Sequence, residues 1–67
     1  MGSYEIDFYG PEGSRRLCCF AVFASDHHAL DSAKKLLDVH RPTAAVWQDE
    51  RRVGEVHRAA PHMPSPA

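Results

Sequence analysis

The sequence predicts an α+β domain of order β-β-α-β-β, a four-stranded, mainly antiparallel sheet with one helix packed on one face. Three observations predict it. Two pairs of apolar segments are each joined by a short turn. Between the pairs lies a single stretch with helical periodicity, opened by Ser25-Asp26. The chain has 67 residues, enough for one domain.

Tyr4-Glu5-Ile6-Asp7-Phe8-Tyr9 alternates apolar and acidic side chains, which places Tyr4, Ile6 and Phe8 on one face of a half-buried strand. Gly10-Pro11-Glu12-Gly13 follows as a turn, with Pro presetting one backbone angle and Gly tolerating positive φ. Residues 14–24 form the second strand and close a hairpin.

Ser25 is placed to accept a first-turn backbone N–H, and Asp26 suits the positive end of a helix dipole. Ala29, Leu30, Ala33, Leu36 and Leu37 recur at helical spacing as one apolar stripe, and Asp31 and Lys35 are spaced to pair across a turn. The helix is expected to stop by His40, because Pro42 disfavours helical geometry at Arg41.

Residues 43–48 read as the third strand and residues 53–58 as the fourth, with the charged turn Asp49-Glu50-Arg51-Arg52 between them. Strict alternation puts Val53 and Val56 on opposite faces, and a bulge at Gly54 would reconcile them. A spatial order of 2-1-3-4 makes every neighbouring pair antiparallel. Residues 1–58 are thus read as the domain, and residues 59–67, AAPHMPSPA, as a disordered Pro-rich tail.

The segments AVFASDHHALDSAKKLL and AAVWQDERRVGEV bear a likeness to a known group. Together they resemble small uncharacterised proteins of rhizobia and other alphaproteobacteria. Those proteins run through an apolar strand, an acidic helix cap and an Ala-rich helix to a closing pattern like E-L-W-Q-x-D-R-x-[IV]. Val46, Trp47, Gln48, Arg51 and Val53 match that pattern, Ala44 and Ala45 replace acidic residues before the Trp, and His27 and His28 stand where acidic residues are usual. The likeness spans about residues 4–57. It implies the same β-β-α-β-β order and a bacterial cytoplasmic setting, and it carries over no catalytic residue.

Composition narrows the function classes. Eight basic and nine acidic residues leave a formal charge of −1, so no whole-chain field favours nucleic acid or an anionic membrane. The longest apolar run, LCCFAVFA, is well short of the ~20 residues a membrane span needs. No basic segment followed by an apolar one opens the chain, so no secretory signal is expected. Cys18 and Cys19 are neighbours in a strand and point to opposite faces, which rules out a bond between them. They read as two buried small hydrophobes in a reducing, cytoplasmic compartment.

No motif assigns catalysis. The sequence contains no phosphate-binding Gly-rich loop, no HExxH and no G-x-S-x-G, and a lone sheet with one helix offers little concavity for a Cys–His pair. We expect no enzyme, no catalytic residue, no cofactor and no metal. Five histidines raise a metal reading, but His27 and His28 diverge by about 100° on a helix, and only His27 with Asp31 has chelating spacing. His40, His57 and His62 read as solvated. The pairs Arg15-Arg16 and Arg51-Arg52 with Tyr9 and Trp47 raise a nucleic-acid reading, diluted by Glu12, Asp49, Glu50 and Glu55. A ligand-binding protein, for nucleic acid or metal, is therefore the alternative function.

The second and third strands are more informative. Leu17, Cys19, Ala21 and Phe23 face one way and Cys18, Phe20, Val22 and Ala24 the other, and both sets are apolar. Ala45 and Trp47 repeat the anomaly opposite Ala44 and Val46. One helix covers one face, which leaves Phe20, Val22 and Trp47 as an expected interface patch. Trp47 either caps the helix-side core or anchors that patch. A second copy of the chain is the simplest partner, because a contact of ~800 Å² per subunit is ordinary for a stable pair. A domain this size also has a thin core of its own. The function expected from the sequence is a small non-catalytic protein-interaction module, homodimeric through the open sheet face.

Overall fold

The computed structural model describes residues 1–58 as four strands and one helix: β1 Gly2–Tyr9, β2 Arg15–Phe23, α1 Asp26–Lys35, β3 Thr43–Gln48 and β4 Arg51–His57. The strands form a single sheet in the order β2-β1-β3-β4, with every neighbouring pair antiparallel. That is the predicted β-β-α-β-β architecture. The expected Pro-rich tail, residues 59–67, lies outside the described residues.

Register sets which side chains share a face. Ile6 pairs with Cys19 on one side and Val46 on the other, and Phe8 pairs with Leu17 and Ala44. These rows, with Tyr4, lie under the helix. Tyr4, Ile6, Phe8, Ala44 and Val46 are buried against Ala29 and Ala33 of α1, and Cys19, Phe23, Leu30, Leu37, Val53 and Val56 pack around them. Alanines at the helix contact let α1 approach the sheet closely.

Gly54 permits a second close approach. A Cβ at that position would stand 3.1 Å from Leu30 Cδ2. The register between β3 and β4 shifts beside it: Val46 pairs with Gly54 but Trp47 pairs with Arg52, so Val53 is the extra residue. This bulge brings both Val53 and Val56 to the core, as the sequence required. The hairpin turns on Asp49, whose φ of 55° lies in the left-handed region that Asp tolerates better than most residues.

The helix starts as expected. Ser25 has extended geometry and accepts the His28 backbone N–H, and Asp31 pairs with Lys35 at 3.2 Å. The helix stops before His40, as expected, and the correction concerns the apolar stripe. Leu36 does not continue the buried stripe; it is the C-cap and is exposed. The reason is local: Asp38 Oδ1 accepts the backbone N–H groups of His40 and Arg41, both at 2.9 Å, and builds a non-helical turn before Pro42. The Arg41 guanidinium then lies over the Phe8 ring, 5.6 Å from its centroid, closing one end of the core.

Candidate functional site

The face of the sheet away from α1 is built from the alternate residues of the same strands. Glu5 on central β1 pairs with Phe20 of β2 and with Trp47 of β3. One row along, Asp7 pairs with Cys18 and Ala45. Paired residues point to the same side of a sheet. Phe20, Val22 and Trp47 therefore share the open face, with Glu5 between the two rings. Phe20 is 71% exposed and Val22 61% exposed, while Trp47 is half-buried. The sequence left Trp47 two places; the register puts it on the open face, with Val46 taking the core position.

The centre of this face is acidic rather than oily. Asp7 is buried, at 5% exposure, and its Oδ1 has no hydrogen-bond partner. The Glu5 carboxyl is raised above its ordinary value, first by its contact with Asp7, then by desolvation and the Asp7 charge, against the opposing pull of Arg15. The Cys18 thiol is pushed up to about 11, chiefly by its contact with the Asp7 carboxylate, then by desolvation and by the charges of Asp7 and Glu5. A thiol held protonated is a poor nucleophile at neutral pH.

Both cysteines are free, but the expectation that both are buried needs correcting: Cys18 is exposed and Cys19 is partly buried. Because β2 is an edge strand, its open-face row has the helix on neither side. Cys19 faces the core, opposite Ile6.

Three of the four arginines near the hairpin turns, Arg16, Arg51 and Arg52, are held by carboxylates. Arg51 makes a bidentate contact to Asp26, both bonds at 3.0 Å, and reaches Gln48 Oε1 at 2.6 Å. The Tyr4 hydroxyl donates to the same Asp26 at 2.7 Å. Arg51 and then Tyr4 hold the Asp26 carboxyl below its ordinary value; Tyr4 is raised in turn by its bond to Asp26. This network ties the helix N-terminus to β1 and β4, and no sequence spacing announced it. Arg16 pairs with Glu12, and Arg52 pairs with Glu55 at 2.7 Å. His57 also contacts Glu55, at 2.8 Å, and the His28 ring meets Phe23 edge-on. Among the described residues, the donors that converge at metal-binding range are Glu5, Asp7 and Cys18, not any histidine; His62 lies outside those residues.

Concavities are shallow. A cleft of about 470 Å³ is lined by Pro11, Glu12, Arg16, His40 and Arg41, at the end of the molecule where the β1–β2 turn meets the loop before β3. Its Arg16 and Arg41 are each bound to a carboxylate, of Glu12 and Asp38. No helix among the described residues is long and apolar enough to cross a membrane. No family model, curated protein or solved structure matches this chain.

Proposed function

We propose that this chain is a small non-catalytic interaction module that pairs with a second copy of itself through the open face of its sheet. One observation carries the reading: Phe20 and Val22 stand exposed on the face that also holds Trp47, while the helix covers the other. An exposed apolar patch on a small domain marks a contact surface, and aromatic side chains are its usual anchors. Both signs of charge lie on the same face. Arg15, the register partner of Tyr9, stands beside the Glu5–Asp7 centre. A two-fold axis sets this patch against its own copy, so a patch that carries both signs of charge beside its apolar groups can be self-complementary.

The arginine pairings weigh against nucleic acid as the partner. Arg16, Arg51 and Arg52 each hold a carboxylate, so phosphate contact would have to break an ion pair. An acidic centre beside Phe20 and Trp47 repels a phosphate backbone. Two free cysteines on opposite faces of one strand suit a reducing, cytoplasmic compartment.

Sedimentation velocity on the full chain tests the proposal. A dimer is expected at high micromolar concentration, and the double variant Phe20→Ser, Val22→Ser is expected to sediment as a folded monomer. A wild-type chain that stays monomeric throughout that range overturns it.

A further inference from the structure

We propose that Glu5, Asp7 and Cys18 form a binding site for a divalent cation of the zinc class, set across the β1–β2 ladder on the open face. The placement follows from register. Asp7 and Cys18 are direct cross-strand partners, and Glu5 lies two residues along β1 on the same side. One donor atom from each of the three residues lies within 4.8 Å of the others.

A second observation comes from Asp7 itself. It is 5% exposed, and its Oδ1 is buried with no hydrogen-bond partner. A buried carboxylate oxygen without a donor is costly, and surrounding structure normally supplies one. The groups that converge on the Asp7 carboxyl group, a second carboxylate and a thiol, are metal ligands. A cation satisfies all three at once, with Cys18 binding as the thiolate and its proton released to solvent. It accepts the unused lone pair of Asp7 and removes the like-charge contact between Asp7 and Glu5.

The donor set selects the ion. Tetrahedral zinc takes sulfur at about 2.3 Å and carboxylate oxygen at about 2.0–2.2 Å, so its ligands stand roughly 3.3–3.8 Å apart. The observed donors lie within 4.8 Å of one another, on strands whose backbone is already fixed by pairing, so only side-chain adjustment separates the cluster from that spacing. A sulfur ligand favours zinc-class ions over magnesium or calcium, which take oxygen. Three protein donors leave the fourth position to water. All three come from one chain, so the site does not depend on self-association, and its test reads binding rather than subunit number.

The test uses the full chain under a non-thiol reductant. Calorimetric titration with Zn²⁺ is expected to give one ion per chain, and Co²⁺ is expected to show a thiolate-to-cobalt charge-transfer band in the near ultraviolet. Cys18→Ser should abolish the band, Asp7→Asn should weaken binding ~10-fold or more, and Cys19→Ser, whose sulfur faces the core, should change neither. Circular dichroism confirms that each variant is folded, and Asp7→Asn decides the matter should the serine variant unfold. Absence of heat with Zn²⁺, absence of the cobalt band, or binding that persists undiminished in Cys18→Ser or Asp7→Asn overturns the site. The last pattern would assign the ion to histidines instead.

Discussion

The two faces of this sheet are made by the same strands and differ in where they put their polar groups. On the helix side the central strand β1 contributes Tyr4, Ile6 and Phe8, and β3 adds Ala44 and Val46, all buried. On the open side the central strand contributes Glu5 and Asp7, and the large apolar groups move outward to Phe20 and Val22 on edge strand β2 and to Trp47 on β3. A one-sided sheet ordinarily turns polar residues to water on every strand. Here the pattern is kept on β1 and broken on its neighbours. The difference teaches that the helix side is finished as a core, whereas the open side is a polar centre framed by unburied hydrophobic groups.

The largest effect expected from that contrast is at Phe8. Its ring is among the fully buried side chains, beneath Arg41 and paired with Leu17 and Ala44. Removing a buried aromatic ring costs about 3–5 kcal/mol. A single core in a chain of this length rarely supplies more than about 3–5 kcal/mol in total. Phe8→Ala is therefore expected to leave most of the chain unfolded at 25 °C, read by loss of the cooperative transition in urea. A variant that melts like the wild type would show that the helix side is not the structural centre.

A smaller effect belongs to the clamp that holds the helix onto the finished face. Asp26 is fixed by two bonds from Arg51 and one from Tyr4, and its folded pKa lies below the ordinary value of about 4. A depressed folded pKa contributes stability above the unfolded value, and that stability is lost as pH falls through the folded one. Wild-type stability is thus expected to fall on acidification below about pH 4. Arg51→Ala is expected to lower stability at neutral pH and to flatten the acid slope. The groups are partly exposed, so raised salt should shrink the difference. Equal acid slopes for the two proteins would remove Asp26 from the account.

Much of this contrast was legible in the sequence, for reasons tied to particular residues. Alternation in residues 4–9 assigned Ile6 and Phe8 to one face because burial on one side imposes a period of two. The conflict between Val53 and Val56 disclosed a bulge, because only an added residue lets both reach the core. Ser25 disclosed the helix start through capping chemistry. The helix end was less legible, since the Asp38 side chain competes with helical bonds through a turn that periodicity does not encode. The cluster of Glu5, Asp7 and Cys18 was not found, although all three lie on a face whose alternation was read correctly. Which residue of β2 stands opposite Asp7 depends on the length and geometry of the β1–β2 turn. There Gly13 takes a φ of 88°, and the ladder slips so that Tyr9 pairs with Arg15 and Phe8 with Leu17. A shift of one residue would put Cys19 beside Asp7 and Cys18 in the core.

The smallest effect on the isolated chain is expected at Phe20, and its smallness is what sharpens the comparison. Phe20 is a ring as large as Phe8 on the same sheet, yet 71% of it is exposed. In a dilute, monomeric sample Phe20→Ser removes little buried surface, and unfolding free energy is expected to change by less than about 0.5 kcal/mol. A paired molecule adds a concentration term, because association stabilises the folded state by mass action. The wild-type melting temperature is therefore expected to rise with protein concentration, while that of Phe20→Ser stays flat, and the two curves should meet at high dilution. Scanning calorimetry over a hundredfold concentration range reads this directly. Curves that stay apart at high dilution would mean that Phe20 belongs to the monomer's own packing. Two flat, coincident curves would mean that the open face, however apolar its rim, meets only water.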